Sequence, residues 1–144
     1  WESLVLIAAM LPMATALEKT GGVTFVADLL TNNLGGYGTV AVMAGLFVIT
    51  TVFSQFISNT ATTVLIAPIA AAAAVTMGVA PQAFLMVTAI AASTAFSTPI
   101  ASPVNTLVLG PAGYKFSDFA RVGVPLQLVV LILCLILVPL LFPF

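Results

Sequence analysis

From Leu29 to Tyr114 the chain carries no charged residue. A domain that folds in water keeps roughly a quarter of its residues charged; here the figure is 5%, against 62% hydrophobic residues. Such a stretch suits a lipid bilayer, where every backbone N–H and C=O must be satisfied inside the protein and a helix is the simplest way to do it. The expected class is an all-α integral membrane protein in contact with membrane lipid.

The few charges exclude much else. A net charge of -1 with only three basic residues leaves no stripe for nucleic acid, and the chain has no histidine for metal or acid–base work. Cys134 is the single cysteine and is read as a lipid-facing or packing residue. The opening "WESLVLIAAM" has neither the basic start nor the small-residue cleavage site of a signal peptide. The chain is expected to be a piece of something longer.

A hydrocarbon core about 30 Å thick needs about 20 apolar residues of helix, and most of the apolar runs here are interrupted. Ser3 to Leu17 is short, contains Pro12 and stops at "EKTGG". In "VTFVADLLTNNL", Val23, Val26, Ala27, Leu30 and Leu34 share one face at helical spacing, which predicts a short interfacial helix ended by Gly35 and Gly36. The runs Tyr37 to Ile57 and Ala61 to Met77 are separated only by Ser58, Asn59 and Thr60. A third helix, Gln82 to Phe96, breaks in "STPIASPVNT" and leaves a stub, Leu107 to Leu109. Val122 to Phe142 is the one full-length span. "AAAAA" at Ala70 to Ala74 predicts a helix face that neighbours can approach closely.

Irregular backbone at membrane depth survives where protein or a water-filled cavity surrounds it. At the first break, Ser58, Asn59 and Thr60 are N-cap types, and the helix resuming at Ala61 aims free N–H groups back at the break, a ready anion site. At the second, Pro99 and Pro103 would free the carbonyls of Ala95 and Pro99 as cation ligands, with Asn105 and Thr106 capping the stub. That pairing fits carriers whose discontinuous helices meet near the midplane. Two plainer readings stay open: hydroxyls that glue helices together at "SNT", and an ordinary proline kink at "TPIASP".

At these residues the chain resembles the divalent anion/sodium symporter family. "SNTATTVLIAPIA" (Ser58 to Ala70) is similar to the family's Ser-Asn-Thr signature, and "TPIASPVNTLVLGPAGYKFSDFARVGVPLQL" (Thr98 to Leu128) to its second broken helix and the start of its last span; "WESLVLIAAMLPMATALEKTGG" resembles the segment before the hairpin. The resemblance implies the C-terminal inverted repeat of the transport domain. Residues 1–36 would form a kinked helix with an interfacial arm, 37–78 a re-entrant helical hairpin, 82–110 a broken transmembrane helix and 118–144 the final full span. It also implies Na⁺ as coupling ion, held by Asn59, backbone oxygens near Ser54 and Ile57, and the carbonyl of Ala101, with no organic cofactor. Oxygens of a divalent anion, sulfate or a small dicarboxylate, would meet Ser58, Asn59, Thr60, Ser102 and Pro103. Where the family often has Thr-Pro-Pro-Asn, this chain has Ser102, Pro103, Val104 and Asn105, which keeps a hydroxyl and restores one N–H.

The implied partners are the N-terminal half of the same transporter and, once complete, a second copy in a homodimer. The expected function is therefore sodium-coupled anion transport and not enzyme catalysis. Other readings are an arsenite or Na⁺/H⁺ carrier, or a truncated fragment without activity alone; the lack of Asp, Glu or His at membrane depth counts against a proton carrier, and a channel would need a continuous pore-lining stripe. Lys115 and Arg121 flank the loop before the last span, so the positive-inside rule places residues 111–121 in the cytoplasm and the C-terminus outside a cell inner or plasma membrane.

Overall fold

A computed structural model describes residues 1–111 and 113–143. Among them there is no strand. The helices are α1 (Glu2–Lys19), α2 (Gly22–Leu34), α3 (Thr39–Ser54), α4 (Asn59–Thr76), α5 (Pro81–Ser93), α6 (Pro103–Leu109) and α7 (Phe116–Leu141), with a 3-10 turn over Gly35–Tyr37.

Helix α4 is the hub, packed on α1, α2, α3 and α5. Its alanine run explains why so many helices reach it: Ala70, Ala73 and Ala74 are completely buried, and a side chain of one carbon lets neighbouring backbones come close. Around it Val42, Met43, Leu46 and Phe47 of α3 and Phe84 and Val87 of α5 form the rest of the core. Helix α4 ends in a Schellman motif, in which Val79 N–H donates to the Ala74 carbonyl at 3.0 Å and Gly78 takes φ +69°. Pro81 then opens α5, where its missing N–H removes nothing.

Helix α2 buries Val23, Ala27, Leu30 and Thr31 against α4 and α3. The expected apolar stripe is thus present, with Val26 and Leu34 half-buried at its margins, but it faces protein instead of only the membrane interface. The small residues of α4 make the close packing possible, and Thr31 joins the buried face because its hydroxyl donates to the Ala27 carbonyl at 3.0 Å and hides its own polarity.

Two helices among the described residues are long and apolar enough to cross a membrane, α4 and α7. They differ in surroundings. In α4 39% of the most apolar 18-residue window is buried within the chain, whereas in α7, with mean hydropathy 2.9, only 11% is. An exposed helix of that hydropathy is stable only against lipid or further apolar protein, so this is an integral membrane protein. The inner stripe of α7 includes Gly123, Cys134 and Val138 and packs on α5 and α3; Cys134 is therefore a packing residue. Helix α7 starts at Phe116, six residues before the expected Val122, because Asp118 Oδ2 accepts the Lys115 N–H at 2.8 Å and closes its first turn.

Candidate functional site

Two of the connections between helices bear on the site: residues 55–58 between α3 and α4, and 94–102 between α5 and α6.

At the first break α3 closes its own end. The Thr51 carbonyl accepts from Ser54 Oγ at 2.8 Å and Gln55 Nε2 at 3.1 Å, the Val52 carbonyl from Gln55 N–H, and the Phe53 carbonyl from the N–H groups of Phe56 and Ile57. Among the described residues no donor reaches the Ser54 carbonyl. Helix α4 then begins with Ser58 as N-cap, whose Oγ accepts the Ala61 N–H at 3.3 Å. The N–H groups of Asn59 and Thr60, in the first helical turn, have no intrahelical acceptor. Ser58 is exposed, and Asn59 and Thr60 are half-buried.

Three atoms at or near this break are out of keeping with the rest. Asn59 Oδ1 is buried and has no hydrogen-bond partner, as are Thr51 Oγ1 and Thr62 Oγ1 a turn or so to either side of the break. A buried polar atom left unsatisfied costs about 1–3 kcal/mol, and native structures leave few of them without a functional reason.

At the second break the helix stops at Ser93, three residues before the expected Phe96, where the Thr94 hydroxyl and N–H both donate to the Ala91 carbonyl. The prolines were expected to free the carbonyls of Ala95 and Pro99 as cation ligands. Instead Asn105 Nδ2 donates to Ala95 O at 3.0 Å and to Thr98 O at 3.1 Å, while Thr106 Oγ1 donates to Pro99 O at 2.7 Å and Ser102 O at 3.3 Å. Asn105 and Thr106 therefore do not cap the stub. They lie inside α6, whose N-cap is Ser102 and first residue Pro103, and they reach back because helical periodicity turns both side chains toward the stretch that precedes the helix. The Ala101 carbonyl is not among the acceptors they occupy.

The two breaks are joined directly. Gln55 Oε1 accepts the Ser97 N–H at 3.2 Å, and the Gln55 carbonyl accepts Thr98 Oγ1 at 2.9 Å. Residues more than forty apart in sequence thus meet where both helices are interrupted. From the other side Gln127 of α7 donates through Nε2 to Thr94 O at 2.6 Å and accepts from Ser97 Oγ at 2.8 Å. Gln55 and Gln127 were given no role from sequence; the hints were that Gln55 belongs to the polar stretch around the first break and that Gln127 is an amide in an otherwise apolar span. A cavity of about 270 Å³ lies between the second break and the start of α7, lined by residues such as Phe96, Asn105, Asp118 and Gly123. None of Ser58, Asn59, Thr60 or Ser102 lines it, and the donors of the first break make the stronger candidate site because the orphaned oxygens are there.

Two laced interruptions inside a bundle with a lipid-compatible surface define an integral membrane domain built from discontinuous helices. The chain belongs to the sodium:sulfate symporter family, whose transmembrane region matches residues 1–142. It is 56% identical over its whole length to an uncharacterized transporter of Escherichia coli K12, YfbS, covering 24% of that protein. It is 37% identical over 99% of its length to an uncharacterized transporter of Synechocystis, sll0640, covering 23%, and 29% identical over 88% of its length to sodium/sulfate cotransporter 1 of Chlamydomonas reinhardtii, covering 14%. The chain spans about a quarter of the length of the first two relatives. The family is one of transporters, so the chain is not an enzyme.

Proposed function

We propose that the chain is the C-terminal half of the transport domain of a sodium-coupled symporter for a divalent oxyanion, sulfate or a small dicarboxylate. The observation that carries this is the buried, unpartnered Asn59 Oδ1 at the first turn of α4. A hard oxygen without a donor is suited to an alkali cation. The Ser54 carbonyl, which no described residue engages, and the carbonyls of Ile57 and Ala101 complete the set that the family resemblance implies. Bound Na⁺ would supply positive charge in a segment that has none of its own.

That charge matters for the anion. From Leu29 to Tyr114 there is no Lys or Arg to offset two negative charges, and an uncompensated charge in a desolvated site is costly. Neutral donors and a cation must therefore share the work. The N–H groups of Asn59 and Thr60, at the positive end of the α4 dipole, with the hydroxyls of Ser58, Thr60 and Ser102 and the turn at Pro103, form the anion side. Asn59 belongs to both sides, with its amide oxygen toward the cation and its backbone N–H toward the anion. Binding at one side preorganises the other, and such coupling is reciprocal.

In this reading α3 and α4 form a re-entrant hairpin, the N-terminal half of the same protein completes the site, and the complete transporter works as a homodimer by an elevator-like movement. The name of the Chlamydomonas relative, a sodium/sulfate cotransporter, agrees with the proposed ion and anion. The test is uptake of labelled sulfate and succinate by the complete protein with and without Na⁺. Uptake of either that depends on Na⁺ supports the reading; uptake indifferent to Na⁺ removes it.

The anion side makes its own prediction. Thr60→Val keeps the shape but deletes a donor and an acceptor, and a lost hydrogen bond to a charged group costs about 1.5–3 kcal/mol, or roughly tenfold to more than a hundredfold in substrate Kd. Ser58→Ala and Ser102→Ala act in the same direction. Thr50→Val leaves affinity nearly unchanged, since the Thr50 hydroxyl is committed to the Leu46 carbonyl at 2.7 Å. Equilibrium binding of labelled anion at saturating Na⁺ decides, and equal affinity in wild type and Thr60→Val removes Thr60 from the site.

Orientation is tested by labelling. A cysteine at Lys115, which is exposed, should react with a membrane-impermeant reagent from the cytoplasm. One at Phe144, outside the described residues, should react from the opposite side. The reverse pattern overturns the orientation taken from Lys115 and Arg121.

A further inference from the structure

The stretch 94–102 has no helix of its own, so its shape is imposed by neighbours, and Ser97 is where they converge. Its N–H goes to Gln55 Oε1 at 3.2 Å and its hydroxyl to Gln127 Oε1 at 2.8 Å, while the other end of the Gln127 amide holds Thr94 O at 2.6 Å. A single amide on α7 thus fixes two points three residues apart. The α7 backbone itself touches the same place: a Cβ at Gly123, one turn before Gln127, would lie 2.5 Å from Phe96 O and 2.7 Å from Ser97 Cα. Gly123 allows the contact and Gln127 reads its register.

Beyond Ser97 little freedom remains. Thr98 is bonded to the Gln55 carbonyl, Pro99 has a constrained φ, and the carbonyls of Thr98 and Pro99 are held by Asn105 and Thr106. The place of the next carbonyls, including that of Ala101, is therefore set relative to the end of α3 through Gln55 and relative to α7 through Gln127.

We propose that Gln127 is a positioning residue for the cation site, and that α7, which contributes no ligand, sets Na⁺ affinity by holding the unwound stretch against Gln55 at the end of α3. The inference rests on the proposed sodium-coupled function. It assigns to the last helix a control over ion affinity that no residue of the Ser58–Thr60 motif supplies.

The experiment compares full-length transporters by Na⁺ titration of labelled sulfate binding. Gln127→Met keeps length and volume but no hydrogen bond. It should raise the Na⁺ concentration for half-maximal binding by about three- to tenfold, with a smaller change in sulfate affinity at saturating Na⁺, since Ser102 lies at the end of the same stretch. Ser97→Ala, which loses only the bond to Gln127 Oε1, should shift the Na⁺ curve in the same direction by less and serves if the Met variant does not fold. The double variant should fall short of the product of the two shifts, because they share a bond. Wild-type Na⁺ curves in both variants, with a shifted curve in Asn59→Ala, overturn the inference and leave the function standing. A wild-type protein that binds sulfate without regard to Na⁺ removes the function and the inference together.

Discussion

Alanine at position 59 is expected to cost the full-length transporter about ten- to a hundredfold in Na⁺ affinity while leaving the fold as stable as before. The two halves of that expectation have one cause. Asn59 Oδ1 is buried and accepts no hydrogen bond within the described chain, so removing it breaks nothing in the fold and relieves a desolvated acceptor. A ligand that used the oxygen loses a coordination bond in a low-dielectric site, where it is worth most. Thermal unfolding with and without Na⁺ separates the terms. Wild type should be stabilised by Na⁺ through mass action, and Asn59→Ala should show the same transition without Na⁺ but little upward shift with it. Ser54→Ala is the paired control. Its hydroxyl donates to the Thr51 carbonyl, so the substitution leaves the proposed backbone ligand in place and should move the Na⁺ curve far less. A full Na⁺-induced shift in Asn59→Ala would remove Asn59 from the cation site.

Gly123→Ala is the substitution expected to harm the fold most. The added Cβ would stand 2.5 Å from Phe96 O, 2.6 Å from Phe96 C and 2.7 Å from Ser97 Cα. All three are backbone atoms and cannot rotate aside, so α7 must withdraw or the unwound stretch must shift. Overpacking of this kind costs about 1–3 kcal/mol. Withdrawal would also stretch the Gln127 bonds to Thr94 and Ser97, the shorter of which is 2.6 Å, so the loss should lie at the upper end of that range and anion uptake should fall with it. Gly36→Ala provides the contrast, since nothing lies within 4 Å of a Cβ there. The midpoint of thermal unfolding in detergent reads both, and a Gly123→Ala midpoint equal to that of Gly36→Ala would refute the close contact.

The places where the helices fail could be read from local chemistry. Ser58 favours a non-helical N-cap conformation because its hydroxyl can accept a first-turn N–H, and it does so with Ala61. Pro99 and Pro103 lack the N–H that a continuous helix needs at their positions, and the chain is irregular from 94 to 102. The alanines of α4 likewise announced a close-packed face, because small size is a property each residue carries with it. Asn105 and Thr106 were misread for a related reason. Both are good capping types, but capping is decided by where the helix starts, and with Pro103 as its first residue their side chains fall inside the helix and turn back onto Ala95 and Pro99.

Membrane residence, helical class and the positions of the two breaks follow from composition and from residues that act on their own backbone, within a turn or so of themselves. What holds the breaks together does not. Gln55, Gly123 and Gln127 act on partners 26 to 43 residues away, and a glutamine or glycine has the same local propensity whether it faces lipid, a neighbouring helix or an unwound carbonyl. Only the packing of α3, α5 and α7 chose among those, by bringing the irregular stretch 94–102 against Gln55, which accepts its hydrogen bonds, and Gln127, which both donates and accepts.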